Sequence, residues 1–133
     1  MIREKWHDRI ISELAAHLVS LEPWVTIHIH KGNARGSDIV VEVTKGLNKG
    51  RKINIEVQQF DSGQPWRQQT IPSWENRHDF LTIVVFPMPA LERVRSRIPK
   101  VEAYQFFARD DVFLFSDSQI SEILALIMIY ILR

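Results

Sequence analysis

The chain has 133 residues, 45% hydrophobic and 25% charged, and no cysteine. That length predicts one domain over residues 1–133 and leaves little room for a second, and the missing cysteines exclude disulfides and thiolate-bound zinc and fit a reducing compartment. A formal net charge of +1 argues neither for nor against nucleic acid, so any such role depends on where the basic residues cluster.

In chain order, Arg3 to Leu21 predicts a helix. Trp6, Ile10, Leu14, Leu18 and Leu21 recur at helical spacing and define one buried stripe. The charged start of the chain has no apolar run behind it, so no secretory signal is expected. Pro23 stops the helix, and Trp24 to His30 alternates as a half-buried strand does, with Val25, Ile27 and Ile29 on one side and Thr26, His28 and His30 on the other. Lys31 to Ser37 is a turn. Asp38 to Thr44 and Lys52 to Gln59 are two more strands around a basic, glycine-bearing loop, which predicts an antiparallel hairpin centred near Asn48.

In the third strand Ile53, Ile55 and Val57 share one face, while Asn54, Glu56 and Gln58 share the other. The polar stretch from Asp61 to Asp79 has no fixed prediction. Phe80 to Phe86 is a continuous apolar run with β-branched residues, the pattern of a central buried strand ended by Pro87 and Pro89. Ala90 to Ser96 suggests a short basic helix, and Ala103 to Ala108 and Val112 to Phe115 two short strands. A last helix starts near Ser116 to Ser118, where Ser116 and Gln119 have the spacing of a capping box. Its run from Ile123 to Leu132 is too short to span a bilayer, which needs roughly 20 apolar residues. The expectation is a cytoplasmic chain with no membrane partner. Because this helix is apolar nearly all round, it predicts burial by a partner, by default a twofold homodimer.

Glu56 carries the first chemical signal. It sits between residues that want burial, and a desolvated carboxylate needs a neutralising partner: a metal ion, Arg or Lys. Asp38 opens the preceding strand and is expected to lie opposite the end of the third, near Gln58. Two carboxylates with carbonyl oxygen and water suit Mg²⁺ or Mn²⁺. Lys31, Arg35, Lys45, Lys49, Arg51 and Lys52 fall in the loops flanking the second strand, where they are either candidate phosphate contacts or a solvated hairpin tip. His28 and His30 lack a third ligand and read as a polar strand face.

A helix carrying Glu, then Gly36-Ser37-Asp38 opening a strand, then Ile55-Glu56-Val57-Gln58 in the next, resembles the PD-(D/E)XK nucleases. The likeness is to archaeal Holliday-junction resolvases and Mrr-like restriction endonucleases, over roughly Arg3 to Phe86. It implies an α/β, restriction-endonuclease-like fold: a mixed sheet of four to six strands flanked by helices, in a single domain. It also implies a metal-dependent DNA endonuclease in which Asp38, Glu56 and the Val57 carbonyl hold Mg²⁺ or Mn²⁺. Gln58 then orients the water or a phosphate oxygen, and Glu13 contributes from the helix. The family's lysine position is Gln58 here, and Gln is neither a charged partner nor a base. The alternative is therefore a catalytically inactive nuclease-fold protein acting as a nucleic-acid-binding or assembly module.

Overall fold

A computed structural model describes residues 2–29, 38–57, 81–89, 91–92 and 112–132. Helix α1 spans Ile2–Leu18 and runs into a 3₁₀ turn, Val19–Leu21. Strands β1 (Val25–Ile29), β2 (Ile39–Val43), β3 (Lys52–Val57), β4 (Leu81–Phe86) and β5 (Val112–Ser116) follow, and helix α2 (Ile120–Leu132) closes the order. The five strands form one sheet in the sequential order β1-β2-β3-β4-β5. The first three make an antiparallel meander, and β3-β4 and β4-β5 are parallel pairs. Among the described residues the protein is thus mixed α/β, a five-stranded mixed sheet flanked by two helices, which agrees with the fold class expected from the resemblance.

The alternation read from the sequence decides which side the helices cover. Ile39, Val41 and Val43 of β2, Ile53, Ile55 and Val57 of β3, and Leu81, Ile83 and Val85 of β4 all point to one face. They form a single core with Ile10, Ile11, Leu14 and Leu18 of α1 and Ile123, Ile127 and Ile131 of α2. Both helices therefore pack on the same side of the sheet. β4 is buried at every position, which its continuous apolar run requires of a strand covered on both faces. Ile29, expected to share the buried face, is exposed. It ends β1, which lies at the edge of the sheet among the described strands.

Two junctions tie the helices to the sheet. Trp6 Nε1 donates to Asp117 Oδ2 at 3.0 Å, fastening the first turns of α1 to the β5–α2 connection. Asn48 Nδ2 donates to the Tyr130 carbonyl at 2.8 Å, satisfying one of the terminal carbonyls of α2 from the β2–β3 turn. The capping-box spacing works, but one turn early. Gln119 Oε1 accepts from the Ser116 amide at 2.8 Å and Ser116 Oγ accepts from the Ser118 amide at 3.3 Å, closing a turn ahead of α2. Ser116 is still the last residue of β5, so the helix starts only at Ile120, with Gln119 supplying the carbonyl for Ile123 N.

The hairpin register differs from the expected one. Val43 accepts from Gly50 N at 2.7 Å and donates to Arg51 O at 2.9 Å, so two residues of one strand face one of the other. This bulge needs the positive φ of Gly50, +90°, which glycine adopts without steric cost. It centres the turn on Leu47, not Asn48, and pairs Glu42 with Lys52 and Ile39 with Ile55. One position in the turn centre moves the register by two, so Asp38 stands one step beyond Ile39↔Ile55, across from Glu56 and not Gln58. After β4 the chain enters a helical turn at residues 88–89 and 91–92, in which Leu91 N donates to Pro87 O at 2.9 Å. The segment expected as a strand from Ala103 to Ala108 and the remainder of the basic helix to Ser96 lie outside the described residues.

Candidate functional site

The register brings Asp38, just ahead of β2, and Glu56 of β3 to the same end of the sheet, on the hairpin that the sequence paired. Glu56 points to the face opposite the two helices, together with Asn54 and, on β4, Thr82. These three are buried, with Glu56 4%, Asn54 5% and Thr82 5% exposed. A polar row sealed in the middle of a sheet is costly unless its groups are satisfied, so this row marks the place where the sequence departs from pure core. Glu56 Oε1 is enclosed without a hydrogen bond, while the residue takes part in further interactions.

Asp38 is a bend residue just ahead of β2, and both of its oxygens are engaged. Oδ2 accepts from the Val57 amide at 2.7 Å, a short charge-assisted bond. Oδ1 lies 3.3 Å from His7 Nε2 of α1, with side chains 14% and 24% exposed respectively. The hydrogen bond to Asp38 lifts the His7 pKa above its usual value, against the opposing pull of burial, and Asp8 beside Nδ1 adds to the rise. A residue's N–H and C=O leave an extended strand on the same side, so the Val57 carbonyl also points toward the β2 side, where the ladder has ended at Ile39.

The donors at this end are thus two carboxylates and a backbone carbonyl, all hard oxygens. Among the described residues no group of three His, Cys, Asp or Glu side chains is close enough to hold a metal ion. Mg²⁺ does not require such a cage, since it keeps several waters and is commonly held by one or two carboxylates plus substrate phosphate. By donor type alone, Asp38, Glu56 and the Val57 carbonyl are the hard oxygens that such an ion takes; Asp38 is engaged by His7 of α1, whereas Glu56 points to the face opposite the helices.

The other expected residues fall elsewhere. Glu13 pairs with Arg9 at 3.1 Å one turn along the exposed flank of α1. At about 100° per residue it stands roughly 120° around the helix from His7, so His7 and not Glu13 is the α1 side chain that meets Asp38. Sequence reasoning passed over His7, although the signal was there. His7 is three, four and seven residues before Ile10, Ile11 and Leu14, a polar residue inside the buried stripe. Lys45, Lys49, Arg51 and Lys52 sit at the opposite end of the hairpin; even Lys52, opposite Glu42, is about 13 Å along the strand from Asp38 at roughly 3.3 Å per residue. Lys31, Arg35, His30 and Gln58 lie outside the described residues. His28 Nε2 lies 3.3 Å from Glu42 Oε1 on the exposed part of the sheet, so the polar face expected there carries a cross-strand hydrogen bond. No helix among the described residues is long and apolar enough to cross a membrane. Comparison of the chain with protein-family models, with curated proteins and with solved structures returns no match.

Proposed function

We propose that the chain is a metal-dependent DNA endonuclease of the cytoplasm that hydrolyses phosphodiester bonds, with branched or otherwise structured DNA as its substrate class. The supporting observation is the register that sets Asp38 across from Glu56, with the Val57 carbonyl turned to the same side. In this reading Asp38, Glu56 and the Val57 carbonyl hold Mg²⁺ or Mn²⁺, and Gln58, next along the chain, orients water or a phosphate oxygen. When bound, the ion supplies positive charge for the phosphate and acidifies water for attack. The chain's own contribution is placement: a strand pair that fixes the two carboxylates and a buried polar row that limits bulk water around Glu56.

The experiment is cleavage of branched, duplex and single-stranded DNA with Mg²⁺ or Mn²⁺, by wild type and by Glu56→Ala. Cutting by wild type that is lost in Glu56→Ala is expected, and equal cutting by both removes Glu56 from the mechanism.

A second reading, a non-catalytic nucleic-acid-binding or assembly module, is favoured by one observation. Asp38 already has two partners, His7 and the Val57 amide, which give it a structural role without an ion. DNA binding that weakens steeply with salt and never leads to cleavage would select it. In either reading we propose a homodimer through α2. Its Met128, Ile129 and Leu132 are exposed on the flank opposite Ile123, Ile127 and Ile131, an apolar stripe of the kind that marks association.

A further inference from the structure

We propose that His7 is a positioning residue for the Asp38 carboxylate, so that the first turns of α1 set the rotation of a group at the proposed metal site. The geometry of this inference is independent of the metal reading; its purpose rests on that reading.

Asp38 is poorly placed to orient itself. It precedes β2 and lies in a bend, and the terminal torsion of an aspartate is broad and roughly twofold. One hydrogen bond to one oxygen would leave the carboxylate free to swing about that contact. Here two anchors act on different oxygens from different elements. Val57 N of β3 holds Oδ2 and His7 Nε2 of α1 holds Oδ1. Together they fix the plane of the group. An ionised carboxylate offers about four acceptor sites, so each oxygen keeps one direction open toward a ligand.

His7 is suited to holding and unsuited to reacting. Its Nδ1 lies 3.3 Å from Asp8 Oδ1 and its Nε2 faces Asp38. Both ring nitrogens are turned to carboxylates, so neither lone pair is presented to a metal or a proton donor. The ring is also delivered by a rigid support. Ile10, Ile11 and Leu14 lock the following turns of α1 onto the sheet, and the neighbouring Trp6 bonds to Asp117. A side chain packed in this way can hold a functional carboxylate in place, the arrangement that precise sites require.

The test uses two variants and two readouts. His7→Leu keeps an apolar side chain on the buried stripe and removes the donor; His7→Gln places an amide nitrogen near the position of Nε2. The first readout is the Val57 amide by NMR, its chemical shift and its hydrogen exchange, with the Ile83 amide of β4 as a control for global folding. Exchange at Val57 is expected to quicken about tenfold in His7→Leu, with Ile83 unchanged, and to return toward wild type in His7→Gln. A Val57 amide unmoved in His7→Leu overturns the inference. The second readout is the thermal midpoint with and without Mn²⁺. A wild-type rise that shrinks in His7→Leu and recovers in His7→Gln supports the purpose assigned to His7. A wild type that ignores Mn²⁺ overturns the metal reading, and the Val57 amide alone then decides whether His7 aims Asp38. A wild-type rise undiminished in His7→Leu overturns the purpose and leaves the metal reading standing.

Discussion

Replacing Asp38 by alanine tests the centre of the site without any assumption about catalysis. The substitution strips the Val57 amide of its 2.7 Å acceptor in a partly buried position. A hydrogen bond to a charged group contributes about 1.5–3 kcal/mol. It also removes the carboxylate paired with His7; such partly exposed ion pairs add up to about 1 kcal/mol. The expected loss at pH 6 is therefore about 2–4 kcal/mol, or at least several degrees in thermal midpoint for a domain of this size, at roughly 2–8 °C per kcal/mol.

The pH dependence supplies an internal control. The folded-state pKa of His7 is raised above its unfolded value of about 6.5. Its contribution is therefore fully present below about pH 6.5 and is lost as the pH rises through the folded-state value. The gap between wild type and Asp38→Ala must be wider at pH 6 than at pH 9, and His7→Leu must erase that difference. Asp38→Asn keeps an oxygen acceptor for Val57 and should lose less than Asp38→Ala. Urea unfolding at the two pH values, with wild type, Asp38→Ala, Asp38→Asn, His7→Leu and the His7→Leu/Asp38→Ala double variant, measures each quantity. A gap below about 0.5 kcal/mol, within the range of ordinary surface substitutions, or one that does not change with pH would refute the reasoning.

Three further outcomes follow from the fold. Leu14→Ala opens a cavity where α1 meets the sheet and is expected to cost about 2–5 kcal/mol in chemical denaturation; a cost under 1 kcal/mol would mean that α1 is not packed there. Gly50→Ala has open space for its methyl group, so only the +90° φ opposes it, and a loss of about 1–2 kcal/mol is expected; no loss would argue against the bulge. Ile129→Glu places a charge on the exposed stripe of α2, and light scattering should fall from the mass of two chains to that of one; a wild-type mass of one chain ends the dimer proposal.

Much of this architecture was legible as periodicity. The α1 stripe at Ile10, Leu14 and Leu18, the alternation along β2 and the unbroken apolar run of β4 each follow from local burial demands, and burial in the fold agrees with them, whereas β3 is buried on both faces from Ile53 to Val57 and Ile29 of β1 is exposed. The neighbour relation of Asp38 and Glu56 was legible too, because a short hairpin leaves little choice of partner strand. Their alignment was not. Whether Asp38 faced Glu56 or Gln58 depended on a bulge at Gly50, and a glycine-bearing loop such as 45–51 accommodates either turn.

The sequence by itself determined where α1 and strands β1 to β4 lie and the apolar faces that α1, β2 and β4 bury, because hydrophobic spacing and backbone sterics act over a few residues. Only the tertiary structure decided the parallel pairing of β3, β4 and β5, the gathering of both helices on one face and the meeting of His7 with Asp38. Those features depend on contacts between residues far apart in the chain. A lone polar residue in an apolar stripe announces that it needs a partner, but it carries no information about where the fold will bring one.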